Sequence, residues 1–344
     1  MNPNRKKNAI YSLVLVIALV SVWWYRNNNE KDASKQRVEI VGETMGTTYS
    51  IKYLQNEGKN YKPSVDSLLE LFNQSLSTYI PTSEISQFNQ NTVFKFELPF
   101  FYPVLKRSYE IYKNTDGAFN PTVGPLVNAW GFGPEEAEIP TKETIDSLLQ
   151  YVKFDSIYFD SISVCKLKRG IQLDFSAIAK GYGVDVVVGF LKSKGVENMM
   201  VEIGGEMVCL GKNQEGRAWR IGIDRPSDGT AGRPLQAVVT LENRALATSG
   251  NYRNYYEKDG KKFSHTINPK TGYPVEHTLL SASVVAHDCM TADAFATAFM
   301  VLGLEGARHI LEHHAELEAY LVYSDDSGEI HTFTSEGMKE FIEE

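Results

Sequence analysis

The stretch LLSASVVAHDCMTADAFATAFMVLG, residues 279–303, decides the fold of this chain. Its first part, Leu279–Ala286, is rich in β-branched residues and predicts a strand. Thr291–Leu302 predicts a helix, and Gly303 separates it from a second predicted helix, Gly306–His314. A strand that leads into helices indicates a fold in which a sheet and helices pack in layers.

The elements outside this stretch follow each other without a regular strand–helix–strand period. Further strands are predicted at Gly42–Tyr53, Ile171–Asp174, Met199–Ile203, Ala218–Ile223 and Leu235–Leu241, and a closing hairpin at Tyr320–Tyr323 and Glu329–Phe333. Further helices are predicted at Val65–Leu76, Pro99–Asn114, Lys142–Tyr151 and Ser176–Lys194. This irregular order predicts an α+β fold with mixed or antiparallel sheets and packed helices.

The amino-terminal segment has the pattern of a targeting sequence. Residues 1–9 are polar and basic, residues 10–25 (IYSLVLVIALVSVWWY) carry no charge, and residues 26–37 form a polar spacer. This order is typical of a secretory signal or a signal anchor. We favour an uncleaved anchor in the cytoplasmic (inner) membrane with the body outside it, because no A-x-A-like site precedes the spacer; a cleaved signal peptide is the alternative. The expected parts are an anchor or signal peptide over 1–30, a linker over 31–40 and the body over 41–340.

Composition and charge exclude several classes of protein. The 344 residues are 42% hydrophobic and 23% charged, which are ordinary globular proportions. The net charge is -8, and the body is more acidic still, because the first 30 residues hold four basic residues and one acid. Such a body lacks the positive field of a nucleic-acid-binding protein. The cysteines Cys165, Cys209 and Cys289 form no C-x-x-C motif, so neither a zinc site nor a disulfide framework is indicated.

Three familiar catalytic motifs are absent from the sequence. The chain has no G-x-S-x-G elbow, no G-x-G-x-x-G turn and no Walker-type phosphate loop. Their absence disfavours a serine hydrolase, a dinucleotide-binding dehydrogenase and a P-loop kinase.

The segment TADAFAT, residues 291–297, offers a possible metal site. Asp293 and Thr297 are four residues apart on the predicted helix, so their oxygens project from one face. A carboxylate and a hydroxyl form a hard oxygen pair of the kind that suits Mg²⁺. The alternative is that Asp293 interacts with the helix dipole while Thr297 faces solvent.

Two loop segments carry further polar groups. In DFSAIAKGYGVD, Asp174 precedes a helix start at Ser176, where exposed N–H groups favour an anion, and Lys180 adds a positive charge one turn later. The alternative is a helix cap with a solvated lysine. His265 lies in the turn-rich segment SHTINP and could accept a proton from a hydroxyl, although a lone loop histidine often has no such role. His313 and His314 follow a predicted helix, and we expect them in solvent.

Taken together and in order, seven segments resemble the FAD:protein FMN transferases of the ApbE family, from about Val41 to Gly303. The segments are GETMGT (42–47), STYIPTSEIS (77–86), DGAFNPTVGP (116–125), DFSAIAKGYGVD (174–185), VEIGGEM (201–207), SHTINPKTGYP (264–274) and TADAFAT (291–297). The resemblance implies a T-fold-related architecture of two closely associated lobes. It also implies an Mg²⁺-dependent reaction in which FAD is cleaved at its pyrophosphate, FMN is esterified to a Ser or Thr hydroxyl of an acceptor protein, and AMP leaves. By family analogy, the expected acceptor is a subunit of a membrane redox pump.

The resemblance also assigns a role to each matched residue. His265 would be the base for the acceptor hydroxyl. The residues implied to contact FAD are Met45, Tyr79, Ala118, Phe119, Asn120, Asp174, Lys180, Gly204, Gly205 and Ile267. The residues implied to hold Mg²⁺ are Ala177, through its carbonyl, Asp293 and Thr297.

Two departures from the family pattern and two alternative functions accompany this reading. The family usually has Asp where this chain has Asn120, which keeps an acceptor oxygen but loses the charge. Many relatives carry a lipid on a cysteine, and this chain has none near residue 25. The alternatives are an Mg²⁺-dependent FAD pyrophosphatase that yields FMN and AMP, and a non-catalytic extracytoplasmic FAD-binding protein.

Overall fold

The computed structural model describes residues 13–22, 36–56, 58–133, 139–225, 235–251, 255–258 and 261–343. The strands in these ranges are β1 (Gln36–Thr44), β2 (Thr47–Gln55), β3 (Val93–Lys95), β4 (Ile157–Phe159), β5 (Ser163–Lys166), β6 (Asn198–Ile203), β7 (Glu206–Leu210), β8 (Trp219–Asp224), β9 (Leu235–Leu241), β10 (Arg244–Gly250), β11 (Tyr255–Lys258), β12 (Lys261–Ser264), β13 (Leu279–Ala286), β14 (Glu318–Ser324) and β15 (Ile330–Thr334). The α-helices are α1 (Leu13–Val22), α2 (Lys62–Leu76), α3 (Glu84–Gln90), α4 (Phe101–Asn114), α5 (Gly124–Ala129), α6 (Lys142–Leu149), α7 (Ala179–Ser193) and α8 (Cys289–His313). Short 3₁₀ helices span Pro121–Val123, Phe154–Ser156 and Gly337–Glu340.

An eight-stranded antiparallel sheet forms the centre of the body, in the order β1-β2-β6-β7-β10-β13-β14-β15. Three smaller sheets, β3-β5-β4, β8-β9 and β11-β12, are also antiparallel. The α+β class, with packed helices and antiparallel sheets, is therefore confirmed.

Both faces of the large sheet are covered, and the strand sequences alternate accordingly. On β13, Val284 and Ala286 belong to the main core with the helices, whereas Val285 belongs to a second core on the opposite face. Helices α2, α7 and α8 pack on the first face. The β8–β9 hairpin, with Trp219 and Ile221, covers part of the other face.

Helix α8 is the central helix of the main core. It is long and apolar enough to cross a membrane by length and composition alone, but it packs against α7, β10 and β13 inside the body. Gly303 interrupts it with φ 72°, which confirms the predicted division into two helical segments. At this kink, His277 Nε2 donates to the Met300 carbonyl at 2.7 Å.

The prediction of one strand over Gly42–Tyr53 is wrong. This region is a hairpin of β1 and β2, whose two-residue turn consists of Met45 (φ 51°) and Gly46 (φ 70°). Two positive φ values match the twist of a two-residue hairpin, and a glycine supplies one of them without steric cost. The alternating pattern runs through both strands, so it did not reveal the turn.

The prediction of a strand at Ile171–Asp174 is also wrong, because this segment is irregular before α7. Its backbone groups bond to side chains and loops rather than to a strand: Leu173 N–H donates to Asn89 Oδ1, and Asp174 N–H donates to the Pro121 carbonyl. Helix α7 itself begins at Ala179 rather than at Ser176. The other predicted strands and helices are present, with their ends shifted by a few residues.

Much of the targeting segment lies outside the described residues. Within it, the structure describes α1, whose apolar side chains are exposed along the whole helix. Strand β1 begins at Gln36, inside the predicted linker 31–40. The division of the body into two lobes stays a prediction.

Candidate active site

One end of the large sheet brings together the turns that hold several predicted site residues. The β1–β2 turn at Met45 meets the β6–β7 turn at Gly204–Gly205, where Gly204 N–H donates to the Thr48 carbonyl at 3.0 Å. Strand β10 pairs with β7 through Leu246 and Met207, so its carboxyl end extends past the β6–β7 turn. The segment quoted as VEIGGEM therefore lies at the sheet edge that also receives the end of β10.

Helices α7 and α8 approach each other closely at Gly181. A Cβ atom built on Gly181 would lie 2.2 Å from the Cys289 carbonyl oxygen and 2.7 Å from Asp293 Cβ, so only glycine fits there. Gly181 N–H donates to Asp293 Oδ2 at 2.9 Å. Because α7 begins at Ala179, Ala177 lies just before the helix, and this contact joins Asp293 to the first turn of α7.

The first turn of α8 is held by side chains from its own start and from α7. Asp288 is the N-cap and accepts from Thr291 N–H at 2.8 Å. Asp185, on α7, accepts from Cys289 N–H at 2.9 Å and from Met290 N–H at 2.8 Å. Arg107 donates to Thr291 Oγ1 from α4. These bonds set the position of Asp293, one turn further along.

Two buried carboxylates share one lysine at this point. Lys180 Nζ lies 2.5 Å from Glu206 Oε1, while Glu206 Oε2 is buried with no hydrogen-bond partner. Asp293 and Glu206 are each 2% exposed. Burial raises the pKa of both acids against the opposing effect of Lys180; burial lowers the pKa of Lys180, but Asp293 and Glu206 together hold it above its usual range. The ionised group would carry a net charge of -1, so an added cation would relieve the repulsion.

Thr297 and His265 are linked to each other through the end of β10. Thr297 Oγ1 lies 3.2 Å from Ser249 Oγ, and two residues later Asn251 Oδ1 accepts from Thr266 Oγ1 at 3.0 Å. Residues two apart in extended chain are about 7 Å apart. His265, next to Thr266, therefore lies near the same strand end as Thr297.

Aromatic and thioether side chains border this region. A Cβ atom built on Gly183 of α7 would lie only 2.5 Å from the Met45 methyl carbon, so the glycine leaves space for the Met45 side chain. The Tyr79 hydroxyl lies 3.5 Å from the Phe132 carbonyl, and the Phe132 ring centroid is 6.5 Å from that of His265. Partial burial, and then the nearby charge of Asp174, raise the pKa of Tyr79. Tyr79 therefore lies near Asp174 and, through Phe132, near His265.

Ala118, Phe119 and Ile267 are buried, so their side chains belong to the cores rather than to an open surface. Asn120 is an N-cap: its Oδ1 accepts from Thr122 N–H at 2.9 Å and from Thr122 Oγ1 at 2.6 Å. An Asp at this position could accept the same two bonds, so the capping function survives the departure from the family pattern.

Sequence reasoning missed Glu206, Ser249 and Gly181. Glu206 follows the quoted Gly204–Gly205 pair directly, but only the fold shows that it meets Lys180. Ser249 had no signal, because β10 was not predicted. Gly181 could have been found as a glycine inside a predicted helix, which usually has a packing reason.

Comparisons with known proteins give matches over most of the chain. The ApbE family model matches residues 45–321. The chain is 39% identical over 318 residues to the FAD:protein FMN transferase of Vibrio cholerae, covering 89% of this chain and 93% of that protein, and 34% identical over 317 residues to that of Escherichia coli K12, covering 88% of each. The solved flavin transferase ApbE of Vibrio cholerae superposes with a TM-score of 0.82 at 38% identity, covering 89% of this chain and 99% of that one. The apo flavinyl transferase ApbE of Pseudomonas stutzeri superposes with a TM-score of 0.80 at 33% identity, with coverages of 89% and 96%.

Replacing Gly181 with Ala should separate α7 from α8 at the Asp293 contact. We expect Gly181→Ala to lower the free energy of unfolding by about 1–3 kcal/mol, because the added methyl group overlaps the Cys289 carbonyl. Gly189→Ala, in the same helix, is the matched control: nothing lies within 4 Å of its Cβ position. That variant should be neutral or more stable by up to about 1 kcal/mol. Urea unfolding of the full chain measures both, and equal stability of the two variants would contradict the close contact.

Proposed function

The chain belongs to the ApbE family, and on that premise we propose that it transfers FMN from FAD to a Ser or Thr hydroxyl of an acceptor protein and releases AMP. Curated relatives that match most of the chain bear the name FAD:protein FMN transferase. FAD is therefore the proposed substrate, and a flavoprotein is the proposed acceptor.

The observation that carries the proposal is the pair of buried carboxyl groups, Asp293 and Glu206, beside the single lysine Lys180. Magnesium prefers oxygen ligands and keeps several waters, so it suits a carboxylate, a carbonyl and a hydroxyl at the edge of a site. Asp293, the Ala177 carbonyl and Thr297 are the residues that would hold it. The buried Glu206 Oε2, which has no hydrogen-bond partner, supports a cation at this point. When bound, Mg²⁺ would neutralise charge on the pyrophosphate of FAD.

The chain's own residues then have distinct tasks in the transfer. Lys180, held by Glu206, directs a positive charge to the phosphates, and Met45 and Tyr79 border the space for the flavin. The acceptor oxygen forms a bond to the FMN-side phosphorus as the bond from that phosphorus to the bridging oxygen breaks, and AMP leaves. His265 accepts the hydroxyl proton, because a neutral alcohol is a weak nucleophile.

The same residues would serve hydrolysis if water entered in place of the hydroxyl. Transfer therefore requires that the acceptor protein cover His265 while FAD is bound. Rapid AMP release without an acceptor would identify the chain as a pyrophosphatase instead.

The proposed location of the reaction is the outer side of the cytoplasmic membrane. The apolar side chains of α1 are exposed in the structure, and a lipid bilayer would cover them. An acceptor subunit of a membrane redox pump would then be within reach of the body.

Replacing His265 with Ala tests the proposed base. We expect transfer to fall by about 10²–10⁴-fold, because proton removal contributes that much to such reactions, while FAD binding persists. Purified full chain, FAD, Mg²⁺ and an acceptor domain are incubated, and covalent flavin is followed by fluorescence on a denaturing gel. His331→Ala is the control, since His331 lies on β15 at the sheet edge and bonds to Asp325. Full transfer by His265→Ala would remove the histidine from the mechanism.

Replacing Asp293 with Asn tests the cation site through stability rather than activity. Without Mg²⁺, the variant should be at least as stable as the native chain, because one of two buried like charges is gone. With Mg²⁺, the native chain should gain stability, by about 2.7 kcal/mol at a hundred times the dissociation constant, and the variant should gain little. Thermal unfolding with and without Mg²⁺ measures both effects.

Asp288→Asn is the matched control for that experiment. It removes the same charge at the N-cap of the same helix, and Asn caps a helix as well as Asp does. Its response to Mg²⁺ should equal that of the native chain. An equal response of Asp293→Asn would place the cation elsewhere.

Removal of residues 1–35 tests the proposed anchor. The full chain should remain with membranes during alkaline extraction, because the apolar segment stays in the bilayer, and the shortened chain should be released. Release of the full chain under the same conditions would argue against an uncleaved anchor.

A further inference from the structure

The last turns of α8 carry a cluster of side chains that the transfer reaction does not use. The helix continues beyond the Gly303 kink, and Ala307 faces the core there. His309, Glu312 and His313 lie on the opposite, exposed face. His313 lies in the last turn of α8, within the range of the predicted helix Gly306–His314.

These three side chains converge on one point. Residues three and four apart lie next to each other on a helix, so His309 is adjacent to both Glu312 and His313. One ligand atom from each residue lies within 4.8 Å of the other two. The rings of His309 and His313 have centroids 4.6 Å apart. Small side-chain rotations would bring the three atoms to the spacing of ligands around one metal ion.

The position of the proton on the neutral His313 ring favours metal binding. His313 Nδ1 lies 2.9 Å from the His309 carbonyl oxygen, which can only accept, so Nδ1 carries the proton. In the neutral ring, Nε2 then presents a lone pair. A metal-bound histidine commonly donates its other ring N–H to a backbone carbonyl in this way, which orients the ring.

The charges around the cluster also suit a cation. Nearby Arg308 is directed elsewhere: it pairs with Glu305 at 3.3 Å and stacks over the Phe333 ring. Within the part of the chain that the structure describes, neither a lysine nor an arginine forms an ion pair with Glu312. The carboxyl end of a helix carries partial negative charge, which adds to the attraction.

We propose that His309, Glu312 and His313 form a binding site for a divalent transition metal such as Zn²⁺. Two imidazole nitrogens and a carboxylate oxygen are the ligands of zinc sites, in contrast to the hard oxygen groups at Asp293 and Thr297. Three protein ligands leave a coordination position to water. Two histidines four residues apart on a helix also occur in zinc enzymes. Here the three residues are exposed, so the bound metal ion links their side chains at the end of α8.

Calorimetric titration of the full chain with Zn²⁺ tests the proposal. Saturating Mg²⁺ is present throughout, so that the Asp293 site is occupied. We expect one equivalent of Zn²⁺ to bind, and His309→Ala and His313→Ala each to weaken binding at least about tenfold, because the loss of even an outer-shell partner costs that much. Glu312→Gln keeps the size of the side chain and should weaken binding as well. Unchanged affinity in the double variant H309A/H313A would overturn the proposal.

Two control variants locate the bound ion. His331 lies beside Asp325 and Glu329 in a second, partly exposed cluster, and His331→Ala should leave Zn²⁺ affinity unchanged. Asp293→Asn should also leave it unchanged. Loss of Zn²⁺ binding in His331→Ala would place the ion in the second cluster, and loss in Asp293→Asn would place it at the Asp293 site. Either result would overturn the proposal. Flavin transfer with Mg²⁺ by His309→Ala should match the native chain, which shows that the variant is folded.

Discussion

The contact between Gly181 on α7 and Asp293 on α8 is the constraint on which the candidate site depends. It removes Asp293 from water and directs the Gly181 N–H to the carboxylate. With Glu206 beside the same Lys180, the region contains one more buried acid than base. Such an arrangement costs stability in the folded chain, and proteins retain such costs mainly at functional sites.

The large sheet supplies the rigid frame for this contact. Its antiparallel order brings the turns at Met45 and at Gly204–Gly205 to one end, and the end of β10 extends past them. Helix α8 packs across β10 and β13, so Thr297 reaches Ser249 from above the sheet. Groups that are far apart in sequence thus meet because strand pairing, rather than loop flexibility, sets their positions.

The sequence predicted the buried elements that have a clear hydrophobic period. It missed the features that turns and tertiary contacts define. The buried strand at Leu279–Ala286 and the helix after it were predicted correctly, because their apolar pattern reports burial directly. The hairpin at Met45–Gly46 was missed, because both strands share one alternation and the turn needs only two positive φ values. Ile171–Asp174 has strand-like composition but bonds to a side chain and a loop instead. For the site, spacing alone indicated the Asp293–Thr297 pair, whereas the partners of Lys180 and Thr297 come from distant strands.

Helix α8 carries both proposed ligand sets on one element, and the kink at Gly303 separates them. The amino-terminal half is buried, so its polar groups are limited to short side chains that bond to neighbouring backbone or to a hydroxyl. The carboxyl-terminal half has one exposed face, where imidazoles fit without the cost of burial. The proposed oxygen ligands therefore lie where the core is tight, and the proposed nitrogen ligands lie where solvent admits larger rings. The same helix can hold both sets because burial along its length selects ligands of different size and chemistry.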